Sequence, residues 1–249
     1  MKLSIIIPMY NEQESLDALF MELSGLFSQE AKTEIIFIND GSSDDTLSIL
    51  ESKIKNYPSW KVINLYRNYG KSVALQAGFD NSKGEILATM DADLQDNPKE
   101  IYNLIKELEK GYDVVSGWKK NRKDPLEKKI ASKIFNFFVR VFSGLKIHDS
   151  NCGIKVFKRE VTEMLTLYGG RHRYIPLLAH QKKFLISEVV VDHREREFGV
   201  SKYGVKRYSD GFFDFLTIFF LGKYMDRPLH FFGSLGFVSS LLGIGIEIY

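Results

Sequence analysis

The sequence contains a single cysteine, Cys152, among its 249 residues. One thiol excludes an internal disulfide framework, and the five scattered histidines give no zinc-ligand spacing with it. The formal net charge is only +2, so a general nucleic-acid-binding surface is not expected. No signal peptide is recognised before the first apolar run, Leu3–Pro8, and we expect the bulk of the chain to be cytoplasmic.

Two common nucleotide-binding motifs are also missing. Gly70-Lys71-Ser72 resembles the end of a P-loop, but Leu65 stands where that loop requires its first glycine. No glycine triplet of the dinucleotide-binding type follows Leu3–Pro8. A P-loop kinase or ATPase and an NAD-dependent enzyme are therefore disfavoured.

Short apolar runs alternate with segments of helical periodicity through the first half of the chain. The runs typical of buried strands are Leu3–Pro8, Thr33–Asn39, Lys61–Leu65, Ile86–Met90 and Asp113–Ser116. Helices are predicted over residues 16–27, 46–54, 72–79 and 101–108, the first of them capped by Asn11 and Glu14. This alternation predicts an α/β fold with a mostly parallel sheet and flanking helices.

An acidic loop, Asp91-Ala92-Asp93-Leu94-Gln95, follows the fourth predicted strand and precedes a predicted helix start at Asn97-Pro98. In an extended segment Asp91 and Asp93 point to the same side, at the strand end where open α/β sheets bind ligands. Two hard oxygen ligands suit Mg²⁺ or Mn²⁺ holding a diphosphate. An isolated Asp-x-Asp is more often an acidic surface turn, so this motif alone does not decide the function.

Two further loops follow predicted strands and carry polar residues. In the first, Pro8–Glu12, the Tyr10 ring is able to stack on a base while Glu12 or a backbone group reads the base edge. In the second, Asn39–Asp45, Gly41 allows a tight turn and Asp40 is able to accept a hydrogen bond from a base or ribose. Each loop alone fits ordinary turn chemistry, but three at one sheet edge indicate a site.

The carboxyl-terminal segment differs in composition from the rest of the chain. Residues 229–249 are almost wholly apolar or small, and a segment of this length is about what is needed to cross a membrane. Lys223 and Arg227 precede this segment, in agreement with a cytosolic catalytic domain. Residues 212–221 are apolar around the helix and predict an interfacial helix, with a buried core helix as the alternative. We expect a catalytic domain over 1–210, a juxtamembrane amphipathic helix over 211–228 and a transmembrane helix over 229–249.

With these residues assembled, the chain resembles glycosyltransferase family 2, which has the Rossmann-like GT-A fold. It is most similar to the polyprenyl-phosphate glycosyltransferases that include dolichol-phosphate mannose synthase. The segments that carry the resemblance are Ile7–Glu12, Asn39–Asp44, Arg67–Lys71, Asp91–Asp96, Asn151–Phe157 and Phe198–Gly204.

The resemblance implies a role for each matching residue. Those implied to bind the nucleotide sugar are Pro8, Tyr10, Glu12, Ile38, Asp40, Asp91, Ala92, Asp93, Arg173, Arg196 and Lys202. Asp91 and Asp93 are the implied catalytic residues, and Asp93 with Gln95 would bind Mg²⁺ or Mn²⁺. A basic stretch follows the fifth predicted strand, and within it Lys119, Lys128 and Ser132 would meet the acceptor phosphate. The same lysines also fit a solvated helix face.

The predicted function is therefore an inverting, metal-dependent transferase at the cytoplasmic face of the cell inner membrane. It would move a hexose from a nucleotide sugar, of the UDP-glucose or GDP-mannose kind, to a polyprenyl phosphate. The alternatives are a family 2 enzyme with a glycolipid, saccharide or protein acceptor, and an inactive membrane-bound scaffold. Expected partners include membrane lipid and a second copy of the chain, but not nucleic acid.

Overall fold

The computed structural model describes residues 2–30, 32–120, 136, 140–141, 144–195, 206–224 and 227–248, with the backbone alone for 206–212 and 223. Within these ranges one sheet has the strand order β3-β2-β1-β4-β6-β5-β7. The strands are β1 Leu3–Met9, β2 Thr33–Asn39, β3 Trp60–Asn64, β4 Ile86–Thr89, β5 Val114–Trp118, β6 Lys155–Lys158 and β7 Ile186–Val190. All neighbouring strands pair in parallel except β6, which is antiparallel to both β4 and β5. The prediction of a mostly parallel α/β sheet is confirmed.

Helices cover both faces of this sheet. They are α1 Leu16–Phe27, α2 Thr46–Ile54, α3 Lys71–Asp80, α4 Glu100–Leu108, α5 Arg159–Met164, α6 Ile175–Gln181, α7 Lys206–Tyr224 and α8 Pro228–Ile248, with a 3-10 turn at Arg171–Tyr174. Successive residues of a strand point to opposite faces, and both faces of β1 are buried: Ile5 packs in the layer of α1 and α4, and Ile6 in that of α3 and α6. This is why the strands appear as unbroken apolar runs rather than alternating ones.

The elements predicted in the first half of the chain form within one or two residues of their predicted ends. The predicted cap of α1 is wrong. The helix follows Ser15, while the Asn11 side chain accepts a hydrogen bond from the Ser43 N–H at 2.8 Å, which ties two loops together instead. Asn97 does accept from the Lys99 N–H at 3.1 Å, just before α4.

The last two helices differ in their packing. In α7, Phe215 and Ile218 are buried against the turn and α6, whereas Phe213 is 64% exposed. The helix thus combines the two predicted possibilities, with one core face and one exposed apolar face. Every residue of α8 is exposed, and this 21-residue helix contains an 18-residue window with a mean hydropathy of 1.7, which is sufficient for a membrane span.

Candidate active site

Three loops join at the carboxyl ends of β1, β2 and β3. The backbone N–H of Asn11 donates to Ser42 Oγ at 2.9 Å, which ties the loop after β1 to the loop after β2. Asp40 then reaches the loop after β3, where its two carboxylate oxygens accept from the N–H groups of Tyr69 at 2.8 Å and Gly70 at 2.9 Å. Gly41 has a φ of +65°, and a Cβ there would lie 2.4 Å from the carbonyl carbon of Arg67. Only glycine fits this contact without strain.

The residues implied to bind the nucleoside are neighbours in this structure. Pro8 of β1 pairs directly with Ile38 of β2, and Tyr10 and Asp40 follow them at the strand ends. Tyr10 and Glu12 are half-buried, whereas Asp40 is buried. Burial raises the pKa of Asp40, and the two N–H groups only partly offset this rise. Asp40 holds the loop after β3, and its contact with a base or ribose stays a prediction.

The acidic loop alternates between buried and accessible residues. Ala92, Leu94 and Asp96 are buried, while Asp91, Asp93 and Gln95 are half-buried between them. Leu94 has a φ of +60°, which is uncommon for a residue other than glycine.

The far end of this loop is fixed to the segment after β7. The Arg194 N–H donates to the Gln95 carbonyl at 3.0 Å, and the backbones of Asp96 and His193 form an isolated antiparallel β-bridge. Asp91, Asp93 and Gln95 are thus the accessible positions of this loop, and the predicted placement of Asp91 and Asp93 on one side stays a prediction.

Asp93 and Gln95 fit a divalent cation as a pair of ligands rather than as a closed cage. Across the described ranges, no group of three or more His, Cys, Asp or Glu side chains is placed to hold a metal ion by itself. One carboxylate oxygen and one amide oxygen would leave the remaining coordination positions to water and to a diphosphate, which is how Mg²⁺ is usually bound. The residues present thus fit the metal that the resemblance implies.

Lysines surround the acidic loop from inside the domain. The Lys71 ammonium forms an ion pair with Asp91, and Lys119 lies 2.7 Å from the buried Asp96 carboxylate. A Cβ on Gly153 would lie 2.7 Å from an oxygen of each carboxylate, so both acids converge on this glycine. The buried ammonium of Lys155 donates to the Cys152 carbonyl.

These charges shift one another's ionisation. Burial alone would raise the pKa of Asp91, but Lys71 holds it well below its ordinary range. Burial alone would lower the pKa of Lys119, but Asp96 raises it above the usual value for lysine. Burial lowers the pKa of Lys155, and it raises that of the Cys152 thiol to about 12, so Cys152 is not a thiolate at neutral pH.

Two of the implied cations are placed by the structure. Arg173 lies in the 3-10 turn, 3.5 Å from Asp214 of α7. Lys119 lies inside, against Asp96, and not on an open basic surface, so its contact with an acceptor phosphate stays a prediction. Arg196, Lys202, Lys128 and Ser132 lie outside the described residues.

Sequence reasoning assigned no role to four polar residues near Asp91. They are Lys71, Asp96, Lys155 and His172. Lys155 carries the clearest signal, because a lysine inside the apolar run Ile154–Phe157 is unusual for a buried strand. His172 carries no local signal, since only the packing of the turn on α3 brings it near the acidic loop.

The strand order and the covering helices define a fold of the GT-A kind, and comparison with known proteins gives the family. The family described as Glycosyl transferase family 2 matches residues 4–166. The chain belongs to this family, and the prediction of a glycosyltransferase is confirmed.

Two relatives with related activities match nearly the whole chain. The dodecaprenyl-phosphate galacturonate synthase of Rhizobium johnstonii is 36% identical over 255 residues, covering 100% of this chain and 75% of the relative. The undecaprenyl-phosphate 4-deoxy-4-formamido-L-arabinose transferase of Pseudomonas syringae pv. syringae is 36% identical over 243 residues, covering 97% and 71%. The predicted resemblance to polyprenyl-phosphate sugar transferases is confirmed.

Solved structures agree on the fold. Glucosyl-3-phosphoglycerate synthase from Mycobacterium tuberculosis, in complex with Mn²⁺ and uridine-diphosphate-glucose, has a TM-score of 0.66 and 17% identity, covering 89% of this chain and 78% of that one. A mannosyltransferase from Pyrobaculum calidifontis, in complex with GDP-Man and Mn²⁺, has a TM-score of 0.62 and 18% identity, covering 83% and 59%. The predicted GT-A fold is confirmed.

Proposed function

We propose that this protein transfers a sugar from a nucleotide sugar to a polyprenyl phosphate at the cytoplasmic face of a membrane, with inversion at the anomeric carbon. The observation that carries the proposal is that the half-buried Asp91, Asp93 and Gln95 follow β4, the strand that pairs with β1, next to the joined loops after β1 and β2. Relatives that match nearly the whole of this chain and are named for dodecaprenyl-phosphate and undecaprenyl-phosphate chemistry support the acceptor class.

The donor would lie along the carboxyl edge of the sheet. The nucleoside would occupy the loops after β1 and β2, where Tyr10 offers a ring face and Asp40 lies behind. Asp93 and Gln95 would hold Mg²⁺ or Mn²⁺, which when bound offsets the charge that develops on the departing diphosphate. Two solved structures of the same fold are described with Mn²⁺ and a nucleotide sugar, which supports this arrangement.

The acceptor phosphate needs to be bound and positioned by the enzyme, but it does not need a general base to activate it. A lipid monophosphate is largely dianionic at neutral pH, because its second pKa is about 6, so its oxygen attacks without a strong base. The new bond forms from that oxygen to the anomeric carbon. The old bond breaks on the opposite side, and its electron pair leaves with the nucleoside diphosphate.

The exposed apolar helix α8 would hold the enzyme where its acceptor is. All of its residues from Pro228 to Ile248 are exposed, and it is long enough to span the hydrocarbon core. The exposed apolar side chains of α7, Phe213 among them, would rest at the membrane surface.

The sugar is the least constrained part of the proposal. The two relatives are named for galacturonate and for 4-deoxy-4-formamido-L-arabinose, so the family branch accommodates different substituents on the ring. A hexose, as in UDP-glucose or GDP-mannose, is our working donor, and a galacturonate donor belongs in the same screen.

The test is transfer of label into lipid. Membranes containing the protein are incubated with undecaprenyl phosphate and radiolabelled UDP-glucose, GDP-mannose or UDP-galacturonate, with and without Mn²⁺. Label should enter the organic phase only with the metal, and Asp93→Ala should lower the rate by about 10²–10³-fold, because the diphosphate then leaves without its main counter-charge.

The matched control is Glu109→Ala, which removes an exposed carboxylate after α4 and should leave the rate unchanged. Label in a soluble saccharide or in protein would instead identify another acceptor class. Absence of both nucleotide-sugar binding and transfer would identify an inactive scaffold. Lipid labelling that persists without metal and in Asp93→Ala would contradict the proposed site.

A further inference from the structure

A half-buried histidine, His172, lies in the 3-10 turn beside the start of α3 and is not used in the proposed reaction. Its backbone N–H donates to Ser72 Oγ at 3.0 Å, and its ring atom Nδ1 lies 2.9 Å from the same oxygen. Ser72 is buried. One serine therefore fixes both the backbone and the ring of His172.

This arrangement determines which ring nitrogen carries the proton. Ser72 Oγ already accepts the His172 N–H, and among the described residues Nδ1 is the one acceptor within reach of the Ser72 hydroxyl proton. Because Nδ1 accepts, the proton of a neutral imidazole is on Nε2. The described part of the chain provides no hydrogen-bond acceptor for this Nε2–H.

The ring also stays uncharged. Burial lowers the pKa of His172 well below its ordinary value, and the neighbouring cations Lys71 and Arg173 lower it further. His172 is therefore a neutral donor held in one orientation.

The surroundings of the ring indicate which part of a donor it would meet. Lys71 and Asp91, which act electrostatically on His172, form the ion pair at the end of β4, whereas the loops assigned to the nucleoside follow β1 and β2. Lys71 and Arg173 already supply positive charge for a diphosphate. An uncharged, directional N–H adds little to anion binding, but it suits an oxygen on a sugar ring.

We propose that His172 is a specificity-determining residue whose Nε2–H donates a hydrogen bond to an oxygen substituent of the donor sugar. The inference rests on the proposed function, since it needs a nucleotide sugar in the site. Ser72 acts as a positioning residue, because it sets the tautomer and the direction of the ring.

The experiment separates the sugar from the nucleotide. In a glutamine the side-chain amide nitrogen reaches about as far as Nε2, whereas in an asparagine it reaches only as far as Nδ1. His172→Asn should raise KM for the sugar donor that the wild type uses by about 10-fold, with His172→Gln within about 3-fold of wild type. Binding of UDP and GDP alone, measured by calorimetry, should be the same in wild type and both variants. His180→Asn, on α6, is the matched control and should change neither quantity.

A second measurement does not depend on any variant. Nitrogen-15 NMR of the histidine rings in the detergent-solubilised protein should show one neutral ring with its proton on Nε2 at pH 7, and Ser72→Ala should abolish that fixed state. The inference is overturned if the Asn and Gln variants have equal KM values, if UDP or GDP binding weakens in parallel with KM, or if the ring is protonated on Nδ1. A wild-type protein that transfers no sugar to undecaprenyl phosphate would instead overturn the proposed function, while the NMR result would still report on the tautomer.

Discussion

The carboxyl edge of the sheet has two halves that are held by different forces. At the ends of β1, β2 and β3 the loops are joined mostly by backbone N–H groups, such as those that Asp40 accepts from Tyr69 and Gly70. The other half lies at the carboxyl ends of β4 and β5 and the amino end of β6. It contains two ion pairs, Lys71 with Asp91 and Lys119 with Asp96. We therefore expect the shape of the first half to depend little on the charge of a ligand, and that of the second half to depend on it more. A nucleoside suits the first half, and a reacting diphosphate the second.

Breaking the buried ion pair between Lys119 and Asp96 should have the largest effect on stability. Lys119→Met leaves the Asp96 carboxylate buried without its counter-charge, which should cost about 3–5 kcal/mol. For a chain of this size that corresponds to a fall in Tm of roughly 6–20 °C, measured by differential scanning fluorimetry in detergent.

Lys110→Met is the control for this change, because the Lys110 ammonium is exposed in its ion pair with Glu107 and its loss should lower Tm much less. The double change Lys119→Met with Asp96→Leu should recover much of the loss, since it buries no charge. Equal Tm values for Lys119→Met and Lys110→Met would show that the two halves of the edge do not differ in this way.

Adding a methyl group at Gly41, in the half of the edge that is joined by backbone N–H groups, should have the next largest effect. Gly41→Ala places a Cβ against the Arg67 backbone at a positive φ, so we expect a loss of about 1–3 kcal/mol and weaker UDP or GDP binding by calorimetry. Gly25→Ala, within α1 and with nothing within 4 Å, should be neutral or slightly stabilising. If both variants behave alike, the contact between the loops after β2 and β3 is not tight.

Glu34, at the amino end of β2 and away from the site, gives the smallest effect and a reference for both halves. Burial would raise its pKa, but hydrogen bonds from Ser4 and the Lys83 N–H, with the charge of Lys61, hold it below 4.5. A carboxyl whose folded pKa is lowered stabilises the fold above its unfolded pKa, and this contribution is lost as pH falls through the folded value. At pH 7 the free energy of unfolding, measured with urea, should therefore be about 1 kcal/mol larger for the wild type than for Glu34→Gln. The difference should shrink as pH falls below about 4.5.

Exposed Glu109, changed to Gln, should produce no such pH-dependent difference. A stability gap between wild type and Glu34→Gln that stays constant from pH 7 down to pH 3 would contradict the assigned pKa direction.

The first half of the edge was largely predictable from sequence, and the second half much less so. Local pattern placed four residues at the carboxyl edge of the sheet, because each of them ends or follows an apolar run. They are Pro8, Tyr10, Ile38 and Asp40. Asp91 and Asp93 are accessible, as expected for a site, but Leu94 between Asp93 and Gln95 has a φ of +60° and departs from the extended geometry assumed from the sequence. The partners of Asp40 were not predictable from local pattern, because they lie in a loop 29 and 30 residues further along the chain.

The antiparallel β6 explains much of what sequence missed. Residues that follow parallel strands lie at the site, but Lys155 stands at the beginning of its strand and reaches the same edge because β6 runs the other way. Cys152 and Gly153 therefore lie near the acidic loop without following any strand. Strand direction depends on tertiary pairing, which no local pattern in this segment encodes.

Helix α7 presses on the turn that carries His172 and Arg173. Its Phe215 and Ile218 pack against Tyr174, and its Asp214 lies so close to Gly170 that a Cβ there would be 1.9 Å from a carboxylate oxygen. Helix α7 thus connects the exposed α8 to the turn whose residues we propose to meet the donor. Bilayer thickness, or a detergent that shifts this helix, should consequently alter the affinity for a water-soluble nucleotide sugar.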